Sequence, residues 1–192
     1  GSEKAIEGLI PLLKDSESRV RRDAAYALVQ IGSETVIEPL IPLLKYSDYE
    51  VRSRTAEALG KIGSEKAIEG LIPLLKDSDS SVRSRAAYVL GEIGSEKAIE
   101  QLIPLLKDSD EFVRRNAAEA LGKIGSQKAI EQLIPLLKDS DKFVRSNAAV
   151  ALGKIGSENT IIELTKKLQN DSFVKEDLYQ IIKIIQTIQQ RL

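Results

Sequence analysis

Residues 94–124 read GSEKAIEQLIPLLKDSDEFVRRNAAEALGKI, and residues 125–155 repeat them with 27 of 31 positions unchanged. Residues 63–93 match 94–124 at 23 of 31 positions. Outward from there, Gly-Ser recurs at Gly1, Gly32, Gly63, Gly94, Gly125 and Gly156, a constant step of 31 residues. Self-similarity at such a period is the mark of a stacked repeat array. Six copies, 1–31, 32–62, 63–93, 94–124, 125–155 and a longer last one over 156–192, occupy the whole chain as a single domain.

Each copy predicts two helices. In the first, Ile6, Leu9, Ile10 and Leu13 fall at i, i+3, i+4 and i+7, one face of a 3.6-residue period. Val20, Ala24, Ala27, Leu28 and Ile31 form the apolar stripe of the second. Ser2 can cap the first helix, and Glu17, or Asp79, Asp110 and Asp141 in later copies, stands where the second begins. Gly32 falls where a left-handed residue would end the second helix. Pro11, Pro42, Pro73, Pro104 and Pro135 recur inside the first helix and should bend it, because proline removes a backbone donor. A helix pair this short cannot bury its apolar face alone, but stacked copies can.

Composition excludes much of the usual chemistry. The 192 residues carry a net charge of -1 and contain no His, Cys, Met or Trp. That removes thiol nucleophiles, disulfides, imidazole bases and the usual zinc and haem sites. No catalytic residue, metal ligand or cofactor is expected. A near-neutral chain with a sequence pI of about 5.8 lacks the basic face a generic nucleic-acid binder needs. The apolar runs are far shorter than the roughly 20 residues that span a bilayer. A soluble protein, compatible with the cytoplasm, is the expectation. The absence of Met even at residue 1 points to a processed or trimmed chain.

The unit G-S-E-K-A-I-E-x-L-I-P-L-L-K-D-S-D-x-x-V-R-x-x-A-A-x-A-L-G-x-I resembles the short HEAT-like repeat. That repeat type is found in phycobilisome lyase subunits, in many prokaryotic proteins and in artificial helicoidal repeat proteins. The resemblance covers all six copies, the last only loosely. It implies an all-α, right-handed α-solenoid of six two-helix repeats, with the second helices lining a concave surface. A metal-dependent hydroxylase built on such repeats uses His–Glu pairs, which a chain without His cannot supply. The near-identity of copies three to five points to recent duplication or to deliberate repeat engineering.

The copies differ mainly on the second helix, opposite its alanine stripe. Candidate partner-binding residues there are Arg22, Tyr26, Tyr49, Arg54, Arg85, Tyr88, Phe112, Arg115, Asn116, Phe143, Asn147 and Phe173. Six of the eight aromatic residues lie in these columns, and Phe112, Phe143 and Phe173 would form a ladder. Aromatics with Arg and Asn are the composition of protein-interface hot spots. Under this reading the chain is a non-catalytic scaffold that binds another protein, with no nucleic-acid or membrane partner. The alternatives are a self-assembling structural module or a subunit of a bilin-lyase-type complex.

An Arg opens each second helix, at Arg21, Arg52, Arg83, Arg114 and Arg145, with Lys175 in the last. Each can reach loop carboxylates such as Asp15, Asp77, Asp108 and Asp139, tying copies together. The last copy replaces Ile-Pro-Leu with Thr165, Lys166 and Lys167, which suggests a C-terminal cap, polar on its outer side. Leu178 and Tyr179, standing where alanines stand earlier, would fill the space of a missing neighbour. The first copy keeps Ile6, Leu9, Ile10, Leu12 and Leu13, so its outer face should be apolar and bare. Self-association through that N-terminal end, or through the aromatic face, is expected as a second mode of contact, and such stacking need not close on itself.

Overall fold

The computed structural model describes residues 2–31, 34–170 and 175–192 and contains no strand among them. The chain divides into two compact units, Gly1–Ile93 and Gly94–Leu192, each of three copies, and the division falls on the repeat period. In the first unit the second helices are α2 (Ser18–Ile31), α4 (Tyr49–Ile62) and α6 (Ser80–Ile93), preceded by α1 (Ser2–Leu9), α3 (Ile37–Leu40) and α5 (Glu65–Leu71). In the second they are α8 (Glu111–Ile124), α10 (Lys142–Ile155) and α12 (Lys175–Arg191), preceded by α7 (Ile99–Leu105), α9 (Ile130–Leu133) and α11 (Glu158–Asn170). Within each unit consecutive second helices pack on one another: α2 on α4 on α6, and α8 on α10 on α12.

The second helices form as the apolar period dictates. Asp48, Asp110 and Asp141 cap α4, α8 and α10 by accepting backbone N–H bonds with the carboxylate. Gly63, Gly94 and Gly125 adopt φ of 64°, 74° and 83° where helices end, a conformation that costs other residues about 1–2 kcal/mol. The equivalent Gly32 lies outside the described residues. The inward stripe is closely shut: Ala56, Leu59, Ala86, Leu90, Ala117, Leu121, Ala148 and Leu152 have no exposed surface. Small residues allow near-contact of the helix backbones. A Cβ added at Gly122 would stand 2.9 Å from Ala151 Cα, closer than any such atoms approach.

The first helices are less regular than a bent α-helix. Where proline stands, the chain tightens into a 3-10 turn, over Pro11–Lys14, Ile41–Lys45, Ile72–Lys76 and Ile134–Lys138. Proline lacks the N–H that would continue the i→i−4 ladder, and the i→i−3 pattern takes over. The tightened segment turns both leucines of each Pro-Leu-Leu inward from the second copy on, as at Leu43 and Leu44. In the fourth copy Pro104 stays inside α7. The sixth copy has no proline here, and α11 runs unbroken for 13 residues. The expected serine cap forms at Ser64, whose hydroxyl accepts from Ala67 N–H at 3.3 Å. Ser95 and Ser126 make no such bond and open on 3-10 turns instead.

The N-terminal end is bare only in part: Leu12 is exposed and Leu9 and Ile10 half-buried, whereas Ile6 and Leu13 are buried against α2. The counterparts of Leu12 that follow another copy within a unit, Leu43, Leu74 and Leu136, are all buried, so this column packs on the preceding copy. At the other end Leu178 and Tyr179 fill no gap, and Tyr179 is 68% exposed. The cause is the register of α12. Gly122 faces Ala151, whereas Gly153 faces Thr187, more than a helical turn further along its helix. The buried face of α12 is therefore Ile181, Ile184 and Ile188, and Ile182 joins Leu178 and Tyr179 on the outside. Thr165 and Lys166 are exposed and polar, as a cap requires.

Two substitutions test this packing. Leu90→Ala, at a fully buried site, should lower stability by about 2–5 kcal/mol in urea titration. A cost below about 0.5 kcal/mol would remove Leu90 from the core. Gly122→Ala should also destabilise, by about 1–3 kcal/mol, because the crowding at Ala151 outweighs the alanine's helix propensity of about 1 kcal/mol.

Candidate functional site

The arginine column is structural. Arg52 donates from Nε and Nη2 to the two carboxylate oxygens of Asp77 in the next copy, both at 2.8 Å. Its Nη1 binds the Tyr46 and Ser47 carbonyls of its own loop. Arg114 repeats the arrangement on Asp139, at 2.8 and 2.9 Å, and on the Asp108 and Ser109 carbonyls. Each guanidinium thus satisfies two loop carbonyls that no helix reaches and clamps the following copy. These donors are spent within the fold. Hydrogen bonding to Asp139 holds the Arg114 guanidinium above its ordinary range, against the opposing effect of burial. Burial pushes the Asp139 carboxyl up, but the bonds from Arg114 and the Asp141 amide and the nearby Arg114 and Arg145 charges outweigh it, leaving the group below the usual carboxylate range.

One rung differs. Where other copies have the clamping Asp, the second has Tyr46, and the buried Arg21 guanidinium lies 4.6 Å from that ring centroid. Arg21 keeps its bonds to the Asp15 and Ser16 carbonyls, but its buried Nε has no partner.

Outward from this ladder lie the variable columns. In the first unit Arg22, Tyr26 and Arg54 come together with Asp23, Glu57, Ala58 and Lys61 around a cleft of about 120 Å³ between α2 and α4. Its charges are closed on one another. Arg22 meets Asp23 at 3.3 Å and Glu50 at 3.6 Å, Arg54 meets Glu57 at 3.5 Å, and Lys61 stands over the Tyr26 ring at 5.5 Å. Tyr49 and Tyr88 are exposed and Arg85 half-buried on α4 and α6, but they do not line this cleft.

In the second unit Phe112 and Phe143 are exposed by 52% and 53%. The Arg115 guanidinium lies 5.4 Å from one ring centroid and 6.0 Å from the other, bridging α8 to α10. Lys142 stands over the Phe143 ring at 5.0 Å. Asn147 lines a small cleft beside this stack with Glu119, Val150 and Lys154, and Asn116 is half-buried on α8. Phe173, the third rung of the expected ladder, lies outside the described residues. Lys61 was not singled out from the sequence. The signal was available for Lys61, which is one repeat plus one helical turn beyond the Tyr26 it covers.

Among the described residues no group of three or more carboxylates could hold a metal ion, and no helix is long and apolar enough to cross a membrane.

The ladder can be tested at its odd rung. Tyr46→Asp should raise stability at pH 7 by about 1 kcal/mol, by giving Arg21 the bidentate partner that Arg52 has. A carboxyl held below its unfolded pKa stabilises fully above that value and loses the gain as pH falls towards the folded pKa, so the gain should fade below about pH 4 and be smaller at pH 3 than at pH 7. Denaturant midpoints at the two pH values measure this. Conversely, Asp139→Asn should cost about 1–3 kcal/mol at pH 7 and less in acid.

Several known proteins share the architecture. A sequence model of HEAT repeats matches residues 6–79, 37–119, 68–139 and 99–183. An engineered protein of known structure is 27% identical, with a TM-score of 0.64 and coverage of 96% of both chains. The complex of CpcE and CpcF of phycocyanin lyase from Nostoc sp. PCC7120 is 24% identical, with a TM-score of 0.68 over 95% of this chain and 94% of that one. A designed armadillo repeat protein in complex with a (KR)4 peptide is 22% identical, with a TM-score of 0.67 over 94% and 98%. Among curated protein sequences none matches. Overlapping matches along nearly its whole length, on helix pairs stacked at a 31-residue period, place the chain in the family of HEAT repeat proteins.

Proposed function

We propose that the chain is a non-catalytic scaffold that binds another protein through the outward columns of its second helices. On the first unit these are Arg22, Tyr26, Tyr49, Arg54, Arg85 and Tyr88. On the second they are Phe112, Arg115, Asn116, Phe143 and Asn147, with Phe173 assigned to the same column by its place in the repeat. The observation that carries the reading is the pair Phe112 and Phe143, each more than half exposed, with one arginine held between them. Exposed phenylalanines cost solubility, and Arg with aromatic rings is the usual make-up of an interface anchor. Rigid second helices present these groups without the entropy loss of ordering a loop. The designed armadillo neighbour holds a peptide, which supports the general use of such a stack and, at 22% identity, says nothing about which residues do it here.

Light scattering over a hundredfold concentration range, on the parent and on a Phe112→Ser, Phe143→Ser variant, separates a foreign partner from self-assembly. A constant monomer mass for both is the expected result. A parent whose mass rises while the variant stays constant would make the aromatic face a self-assembly surface instead. Peptides selected by display on the parent should lose about tenfold or more in affinity for the variant, the loss of one hot-spot residue.

A further inference from the structure

The two units treat their outward charges differently. On the first, Arg22 and Arg54 are both engaged by carboxylates. On the second, Arg115 and Lys142 make only ring contacts, and among the described residues neither has an ion pair. The nearby carboxylate of Glu119 is taken by Lys123 at 2.7 Å. Glu111, exposed at the start of α8, is the remaining acidic group on that stretch. Further along, Lys154 and Lys183 stand at the rim of a cleft of about 330 Å³ between α10 and α12, with Gly153 and Ile184 among its lining. They too have no ion pair among the described residues. The face therefore joins exposed apolar surface to a row of unanswered cations.

We infer that the α8–α10–α12 face takes an acidic amphipathic segment of a partner protein. Its carboxylates would meet Arg115 and Lys142, and its apolar side chains would cover Phe112 and Phe143. A guanidinium bracketed by rings is fixed in place and keeps its N–H donors for a bidentate acceptor. A carboxylate satisfies that geometry, while a cationic segment would be repelled by all four positive groups. The inference rests on the docking role proposed above and adds the chemical class of the partner. It runs opposite in sign to the (KR)4 peptide of the armadillo neighbour.

The test is fluorescence polarisation of the full chain with a short labelled peptide alternating glutamate and leucine. Controls are the same peptide with glutamine, the same with lysine, and a thymidine oligonucleotide of equal charge. The glutamate peptide should bind about tenfold or more tightly than the glutamine one and weaken with added salt. Arg115→Gln should lose about fivefold or more, while Lys107→Gln, an exposed charge away from the face, should lose nothing. Equal binding of the glutamine peptide, or tighter binding of the lysine peptide or the oligonucleotide, would overturn the acidic assignment while leaving a binding face. Failure of every peptide would overturn the docking role as well.

Discussion

Close approach of consecutive second helices is the constraint on which the other features depend. At Gly122 the neighbouring backbone comes so near that even one methyl group would be displaced, and the alanines beside it have no exposed surface. Such contact at a glycine floor limits how far one helix can slide or rotate on the next, although the residue met differs by junction: Val89 at Gly60, Ala151 at Gly122 and Thr187 at Gly153. The approach of consecutive helices sets the direction in which the outward side chains point. Leu59, Leu90, Leu121 and Leu152, all without exposed surface, then fill the space beside the contact. Small residues set the geometry, and large ones supply the energy.

The arginine ladder solves a second problem created by the same stacking. The loops before α2, α4, α6, α8 and α10 leave carbonyls that no helix bonds. A single guanidinium answers two of them and still has two donors for the carboxylate of the next copy. Because these pairs are mostly buried, their value lies in satisfying groups that would otherwise be stranded rather than in surface charge attraction. The Tyr46 rung makes the distinction visible. There the carbonyls are still answered, the ring covers the cation, and only Nε is left over. The stack survives a missing carboxylate because the carbonyl half of the clamp remains.

Much of this was legible in the residues, and the exceptions have physical reasons. The second helices, their caps and the arginine ladder follow from period and spacing, since each depends on contacts one repeat away. The first helices were less legible. A proline in an amphipathic stretch announces a break. The residues alone do not say that the chain tightens into a 3-10 turn in four copies and stays α-helical at Pro104, since the leucines after it are buried either way from the second copy on. The last copy misled more seriously. Alignment placed Leu178 and Tyr179 on alanine positions, yet α12 has Ile181, Ile184 and Ile188 to bury, and three isoleucines outweigh the inherited register. At the candidate site the sequence identified the aromatic columns but not Lys61, whose exposed position carried no core signal. Nor did it show that Arg22 and Arg54 would be met by carboxylates while Arg115 and Lys142 meet only rings. That depends on which carboxylate lies a turn away, a relation of helix faces rather than of composition.

Separation of the two sets of columns gives the architecture its use. The column of Phe112 and Phe143 holds Arg19, Glu50 and Ser81 in earlier copies, and that of Arg115 holds Ser53, Ser84 and Ser146 in others, while Val113, Ala117 and Val144 beside them are shut inside and barely vary. Outward residues make no contact with the glycine floor, so their replacement should cost little stability and act independently of changes in the core. A repeat with its packing and its surface on different columns can change partners without renegotiating its fold. The positions where the sets overlap are therefore the sensitive ones. Tyr46 is such a position, at once a loop residue free to vary and the lid of a buried cation. A change there alters the junction between two copies before it alters any partner.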